Sequence, residues 1–212
     1  MSSPEFLARI KAAFEKELPG NKAHVIMSPI NRPIDISTIS NIHEYRKSAI
    51  ALICYQIESE LVFILIQRPT YEGKHSGQIS FPGGKKEESD PDLEFTARRE
   101  TFEEIGVALT DNHLIGKLST VFIPVSKFII EPYLYFLESE PVFIPDIREV
   151  ASIFTPLIGE LTNESNVRLR TMDLPKGLKL KNVPYFNLLN KEVWGATALI
   201  LSEFKQIIKS EN

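Results

Sequence analysis

Residues 83–107 read GGKKEESDPDLEFTARRETFEEIGV, from Gly83 to Val107. A glycine pair leads into a helix that crowds Glu100, Glu103 and Glu104 beside Arg99. Like charges three and four residues apart share a helical face and repel by a few tenths of a kcal/mol per pair, so helix formation alone gives no reason for the cluster. A divalent cation turns that repulsion into ligation, because hard cations take carboxylate oxygens together with substrate phosphates. At about 100° per residue, Glu100 and Glu104 lie about 40° apart around the helix and Glu103 about 60° to the other side of Glu100. All three are therefore expected over one patch. Gly83 and Gly84 permit a tight backbone turn beside it, where a carbonyl would add an oxygen ligand. Arg99 is placed to grip a neighbouring carboxylate in a bidentate manner.

Outward from this stretch, the spacing predicts a helix over 92–105 closed by Gly106. Two apolar strands, 48–57 and 61–67, flank a hairpin at Glu58–Glu60. A short strand over 78–81 is stopped by Pro82-Gly83-Gly84, and further strands are read at 114–122 and 128–137. The segment 147–161 reads as a helical turn or two, interrupted at Pro156. Weaker strands fall at 168–172 and 184–188. An amphipathic helix over 197–209 ends the pattern, with Ala198, Leu201, Phe204 and Ile208 on its apolar face. Strands interspersed with helices imply an α/β fold whose mixed β-sheet is sandwiched between α-helices.

At the N-terminus, Ser3-Pro4 starts a helix carrying Phe6, Leu7, Ile10 and Phe14, ended by Pro19-Gly20. The stretch to about Asn41 reads as an irregular connector. Residues 1–45 are accordingly an extension, packing on the core or serving a homodimer interface, and 46–212 the main domain.

Composition narrows the function classes. The 212 residues are 43% hydrophobic and 25% charged, as in soluble globular proteins. With 24 basic and 28 acidic residues, the net charge of −4 offers no broad footprint for nucleic acid or membrane. One cysteine, Cys54, sits in an apolar run and reads as an inert buried thiol. The N-terminus lacks the apolar core of a secretory signal, and no run reaches membrane-spanning length, so a cytoplasmic location is expected. His24, His43 and His113 show no partners in the sequence and read as surface or structural residues.

Arg99, Glu100, Glu103, Glu104, Gly106 and Val107 match R-E-U-x-E-E-x-G-U, where U is aliphatic, and the pattern resembles the signature of Nudix hydrolases. Thr101 replaces an aliphatic residue. Counted from Gly84, Arg99 falls one residue late, which passes the early acidic role to Asp90 or Glu87. That longer spacer is similar to the coenzyme A pyrophosphatase branch, which carries an arginine-led segment, His-x-Gly and F-P-G-G upstream. Here residues 65–84 read LIQRPTYEGKHSGQISFPGG, with Arg68, His75, Gly77, Phe81, Pro82, Gly83 and Gly84 in the corresponding places. GKLSTVFIPVSKF (116–128) and VWGATALILSEF (193–204) also resemble the branch. Ile66, Pro69 and Gly73 depart from it.

The resemblance implies a Nudix fold and metal-dependent hydrolysis of coenzyme A or acyl-coenzyme A to 3′,5′-ADP and 4′-phosphopantetheine species. Glu100, Glu104 and Glu103 would hold Mg²⁺ or Mn²⁺. Glu103 would orient or deprotonate the attacking water, a task Glu100 is able to share, and Arg99 would support them. Glu149 is among the acids outside the motif able to complete the metal shell. Arg68, Lys74, His75, Gly83, Gly84 and Lys85 would contact substrate, with Lys86 in the same basic fringe. Trp194 either stacks on substrate or anchors the last helix. ADP-ribose, a dinucleotide or a nucleoside triphosphate are alternative substrates. A nucleotide-binding module without turnover is the alternative class, against which the retained carboxylates count.

Overall fold

The computed structural model describes residues 2–29, 41–69, 77–173 and 179–210. Its centre is β1 (Arg46–Ile57), a strand apolar on both faces. Such a strand has to be covered on both sides, and its alternation divides the core in two. Ala49, Ala51, Ile53 and Tyr55 join Ala97 and Ile105 of α3 (Leu93–Ile105) in one cluster. Leu52 and Cys54 face the other way, into a cluster with Phe6 and Ile10 of α1 (Ser3–Phe14) and with Leu201 and Phe204 of α5 (Ala196–Lys209). This is the expected sheet between helices.

Around β1 lies a six-stranded mixed sheet with β2 (Glu60–Phe63), β5 (Gly83–Lys85), β6 (Leu114–Lys117), β7 (Val121–Ile123) and β8 (Phe128–Leu137). β8 runs parallel to β1, while β2 and β5 pair antiparallel along its other edge. Two three-stranded sheets complete the fold. One has the order β4–β3–β9, from β3 (Leu65–Gln67), β4 (Ile79–Ser80) and β9 (Ser152–Phe154). The other has the order β10–β11–β12, from β10 (Val167–Asp173), β11 (Lys179–Leu188) and β12 (Lys191–Val193).

Several elements differ from the sequence reading. The apolar run 61–67 divides at Ile64: β2 stays on β1, and β3 leaves to join β4 and β9. Burial is continuous across the division, so hydrophobicity carries no trace of the change of sheet. Gly83-Gly84 is a strand rather than a turn, hydrogen-bonded to β1 with Gly83 opposite Ile50. The run 114–122 is split into β6 and β7, both on β8. Residues 147–161 hold β9 as well as the short helix α4 (Ile158–Thr162).

α1 ends at Phe14, and the connector contains α2 (Asn21–His24) and a 3₁₀ turn, Val25–Met27. These pieces cover the polar side of α5, which is buried nearly all round instead of on one face. Glu203, fully buried on α5, accepts hydrogen bonds from Gly20 N–H at 3.1 Å and Ser119 N–H at 3.1 Å, and pairs with His24 Nε2 at 3.1 Å. Burial alone would raise the Glu203 carboxyl; His24, Ser119 and Gly20 outweigh it and hold it below the usual carboxylate range. His24 is thus a satisfied structural residue. Cys54 is a buried free thiol, as read from its apolar surroundings. Among the described residues no helix is long and apolar enough to cross a membrane.

Candidate active site

α3 starts where Asp92 caps it, its carboxylate accepting from Phe95 N–H at 2.7 Å, and stops where Gly106 takes φ +73°. Ala97, Thr101 and Ile105 turn to the sheet. The buried hydroxyl of Thr101 is satisfied by donating to Ala97 O at 2.7 Å, so the residue that interrupts the aliphatic pattern leaves no orphaned polar group.

This docking brings one edge of α3 against β5 residue by residue. Gly83 N–H donates to Glu104 Oε2 at 2.8 Å. A Cβ on Gly84 would lie 2.3 Å from the Glu100 carboxyl carbon. Arg99 Nη2 donates to Lys85 O at 3.2 Å. Gly83 has φ +143°, and a Cβ there would lie 2.3 Å from Ala49 O, so both the conformation and the strand pairing demand glycine. The glycines do bring backbone to the carboxylates. What Gly83 presents to Glu104 is its N–H donor.

Arg99 is the hub of the acidic cluster. Its Nε and Nη2 grip Asp90 at 2.9 and 3.0 Å, the bidentate arrangement anticipated for it. Nη2 also lies 3.0 Å from Glu100 Oε1, and Nη1 donates to Glu103 Oε2 at 2.7 Å. Asp90 is buried and further accepts from Glu87 N–H and Thr96 Oγ1, each at 2.9 Å. The Arg99 guanidinium, with these donors, holds the Asp90 carboxyl well below the usual range despite burial. Of Asp90 and Glu87, only Asp90 has its side chain in this network.

Glu104 is the anomalous group. It is 1% exposed, and burial pushes its carboxyl up to about 8, against the opposing help of Gly83 N–H and Arg68. Arg68 Nη2 stands 3.6 Å from Oε1, too far for a hydrogen bond, and Oε1 has no hydrogen-bond partner. Glu100 is raised by the same burial, partly offset by Arg99. The negative charge of the exposed Glu149 adds to the rise of both. Among the described residues no three acidic, histidine or cysteine side chains gather as a ready cluster for a metal ion. The reason is visible in Glu103: its half-exposed carboxylate reaches back one helical turn to Arg99 rather than joining Glu100 and Glu104 at β5. The donor set nevertheless fits a hard divalent cation. It holds an orphaned buried carboxylate oxygen on Glu104 and a second carboxylate, on Glu100, against the glycine backbone.

Of the other candidate residues, Lys85 is exposed. Lys86 Nζ donates to Asp90 O and braces the Asp90 turn. Lys74 and His75 lie outside the described residues. Trp194 lies just before α5, half-buried, with Arg170 5.1 Å from its ring centroid. His113 accepts from Thr110 N–H at 3.2 Å, and His43 is exposed. A separate cleft between α1 and the segment after α3, lined by Leu7, Lys11, His113 and Phe136 among others, contains none of the cluster's carboxylates.

Comparison with known proteins agrees with this geometry. The family model of the NUDIX domain matches residues 44–157. Proteins described as "Uncharacterized Nudix hydrolase NudL" from Yersinia pestis (strain Pestoides F) and Yersinia pseudotuberculosis serotype O:1b are each 29% identical over 157 residues, 74% of this chain and 76% of theirs. Among solved structures, a MutT/nudix family protein from Enterococcus faecalis superposes with a TM-score of 0.54 at 16% identity, covering 98% of this chain and 70% of that one, which speaks to the fold.

Proposed function

The chain belongs to the Nudix family of hydrolases, acting on nucleoside diphosphate derivatives, and from that premise we propose that it cleaves the pyrophosphate bond of coenzyme A or acyl-coenzyme A. The products are 3′,5′-ADP and the (acyl-)4′-phosphopantetheine. The observation that carries the hydrolytic reading is the buried Glu104 carboxylate, fixed on one side by Gly83 N–H and lacking a hydrogen-bond partner on the other. The preference for coenzyme A is supported by Arg68 and the Gly77 and Phe81–Gly84 positions, and by the long spacer that brings Asp90 to Arg99.

Glu100 and Glu104 would hold Mg²⁺ or Mn²⁺, and Glu103 or Glu149 would complete the shell by turning towards them. Such a cation would supply charge neutralisation at the pyrophosphate and activation of the nucleophile. The residues of the chain do the rest. Glu103, the most exposed carboxylate of the motif, orients or deprotonates the attacking water. Arg99 fixes the rotamers of Glu100 and Glu103 from one side, and Asp90 holds Arg99 from the other, so the charges are oriented before substrate arrives. Arg68, only loosely engaged by Glu104, is available to a phosphate oxygen.

A substrate panel with Mg²⁺ and with Mn²⁺ tests this reading. Coenzyme A, acyl-coenzyme A, ADP-ribose, NADH and nucleoside triphosphates are incubated with the enzyme and the products identified by mass. Release of 3′,5′-ADP from the coenzyme A compounds, with little turnover of the others, is the expected result. Ile66, Pro69 and Gly73 are the features that favour another nucleoside diphosphate derivative, and preferential hydrolysis of ADP-ribose would reject the coenzyme A assignment.

A further inference from the structure

The end of β3 bears two cationic sites, one on each face. Arg68 turns to α3 and Glu104. Its neighbour Gln67 must point to the opposite face, because successive strand residues alternate. There Gln67 Oε1 meets the ammonium of Lys191 at 3.0 Å. Lys191 comes from the tip of the β11–β12 hairpin, whose central residues Leu189 and Asn190 have φ +50° and +59° and close the turn between the paired Leu188 and Lys191. The same ammonium lies 5.4 Å from the ring centroid of Phe154 on β9.

Two features set Lys191 apart. An ammonium carries three donors, and Gln67 Oε1 takes one of them while also accepting from Ser152 Oγ at 3.3 Å. Among the described residues no carboxylate stands within ion-pair distance of Lys191. The adjacent Glu192 falls on the other face of β12 and is engaged by Arg170. The result is a half-buried cation, framed by a neutral amide, a hydroxyl and an aromatic ring, with hydrogen-bonding capacity to spare. That is the setting in which a phosphate dianion is bound through charge-assisted hydrogen bonds.

We infer that Lys191, held by Gln67 and Phe154, forms a subsite for a phosphomonoester that the substrate carries apart from its scissile pyrophosphate. This deepens the coenzyme A reading and rests on it, since that substrate bears such a group on its ribose. With its pyrophosphate at Arg68 and Glu104, the nucleotide passes the end of β3 and delivers the second phosphate to the opposite face. The subsite then selects among Nudix substrates by the presence of that phosphate.

Binding without turnover tests the subsite, using the unaltered full-length protein and 3′,5′-ADP against 5′-AMP in calorimetric titrations. The unaltered protein should bind 3′,5′-ADP at least about tenfold tighter. Lys191→Gln should bring the two nucleotides to within about twofold of each other, and Lys191→Arg should restore most of the preference. Gln67→Glu should also abolish it, by supplying the carboxylate that Lys191 lacks; this variant leaves the lysine in place and guards against a folding artefact. Equal binding of the two nucleotides by the unaltered protein, or a preference surviving both Lys191→Gln and Gln67→Glu, overturns the inference. Coenzyme A hydrolysis by the unaltered enzyme reports separately on the proposed function, so failure of one is distinguished from failure of the other.

Discussion

The backbone N–H of Gly83 and the carboxylate of Glu104 face each other at 2.8 Å across the seam between β5 and α3. The contact anchors one oxygen of a buried acid and leaves the other, Oε1, without a hydrogen-bond partner, the Arg68 guanidinium standing 3.6 Å away. Burial with so few hydrogen bonds is what raises its carboxyl above the usual range.

Replacing Glu104 by Gln should separate chemistry from folding. The amide oxygen still accepts from Gly83 N–H, so the helix stays docked and the melting temperature should move by no more than a few degrees. Turnover should fall by about a thousandfold, the scale seen when one charge-stabilising group is removed from a preorganised site. Steady-state kinetics beside a thermal melt would show both, and near-normal kcat would refute the ligand assignment.

The two glycines of β5 should fail differently. A methyl on Gly84 meets only the end of the Glu100 side chain, which is able to swing away. Gly84→Ala should therefore cost little stability but displace Glu100, with a loss of activity of at least about tenfold. A methyl on Gly83 meets the Ala49 carbonyl and Ile50 backbone in a conformation reserved for glycine. Gly83→Ala should destabilise by about 3 kcal/mol or more. Urea denaturation of the pair distinguishes the two mechanisms, and equal stability losses would contradict them.

Acid should erase the contribution of Asp90. Its folded carboxyl is held below the unfolded value of about 3.9. A depressed pKa gives stability that is complete above the unfolded value and lost as pH falls towards the folded one. Breaking a largely buried pair with Arg99 by Asp90→Asn should cost about 3 kcal/mol at pH 7. That gap should begin to close below about pH 4, as measured by urea unfolding across pH; a gap that stays constant down to pH 2 would mean that the fold does not depress the Asp90 carboxyl.

On the other side of the sheet, Glu203→Ala removes the acceptor shared by Gly20, Ser119 and His24. Unpaired buried donors make this expensive, about 3 kcal/mol or more. The loss should appear as a lower denaturation midpoint and as earlier proteolysis near residues 15–29. Removal of residues 1–28 should be worse still, because Phe6, Ile10 and Met27 are core residues. A truncated chain that melts with the intact one would refute this account of the N-terminal segment.

Much of this architecture is legible in the residue pattern alone. α3 and its Gly106 cap announce themselves through local rules, and β8 matches the apolar run from Phe128 to Leu137 residue for residue. The His24–Glu203 pair was not legible. Its members are 179 positions apart, and Glu203 looks like the polar face of an ordinary surface helix until α2 covers it. The same holds for β3, whose departure from the main sheet follows an unbroken apolar run, and for Lys191, an unremarkable lysine in sequence whose partner Gln67 lies 124 positions away.

Local rules were enough to reveal the acids of the helix, the arginine among them and the glycine pair, because helical periodicity and the steric limits of φ act over a few residues. Long-range packing settles which acid is buried with an unsatisfied oxygen, which ones Arg99 holds, and that the glycines form a strand offering an N–H. Desolvation and hydrogen-bond satisfaction depend on what distant segments bring to a side chain, and that is settled when α3 closes on β5 and not before.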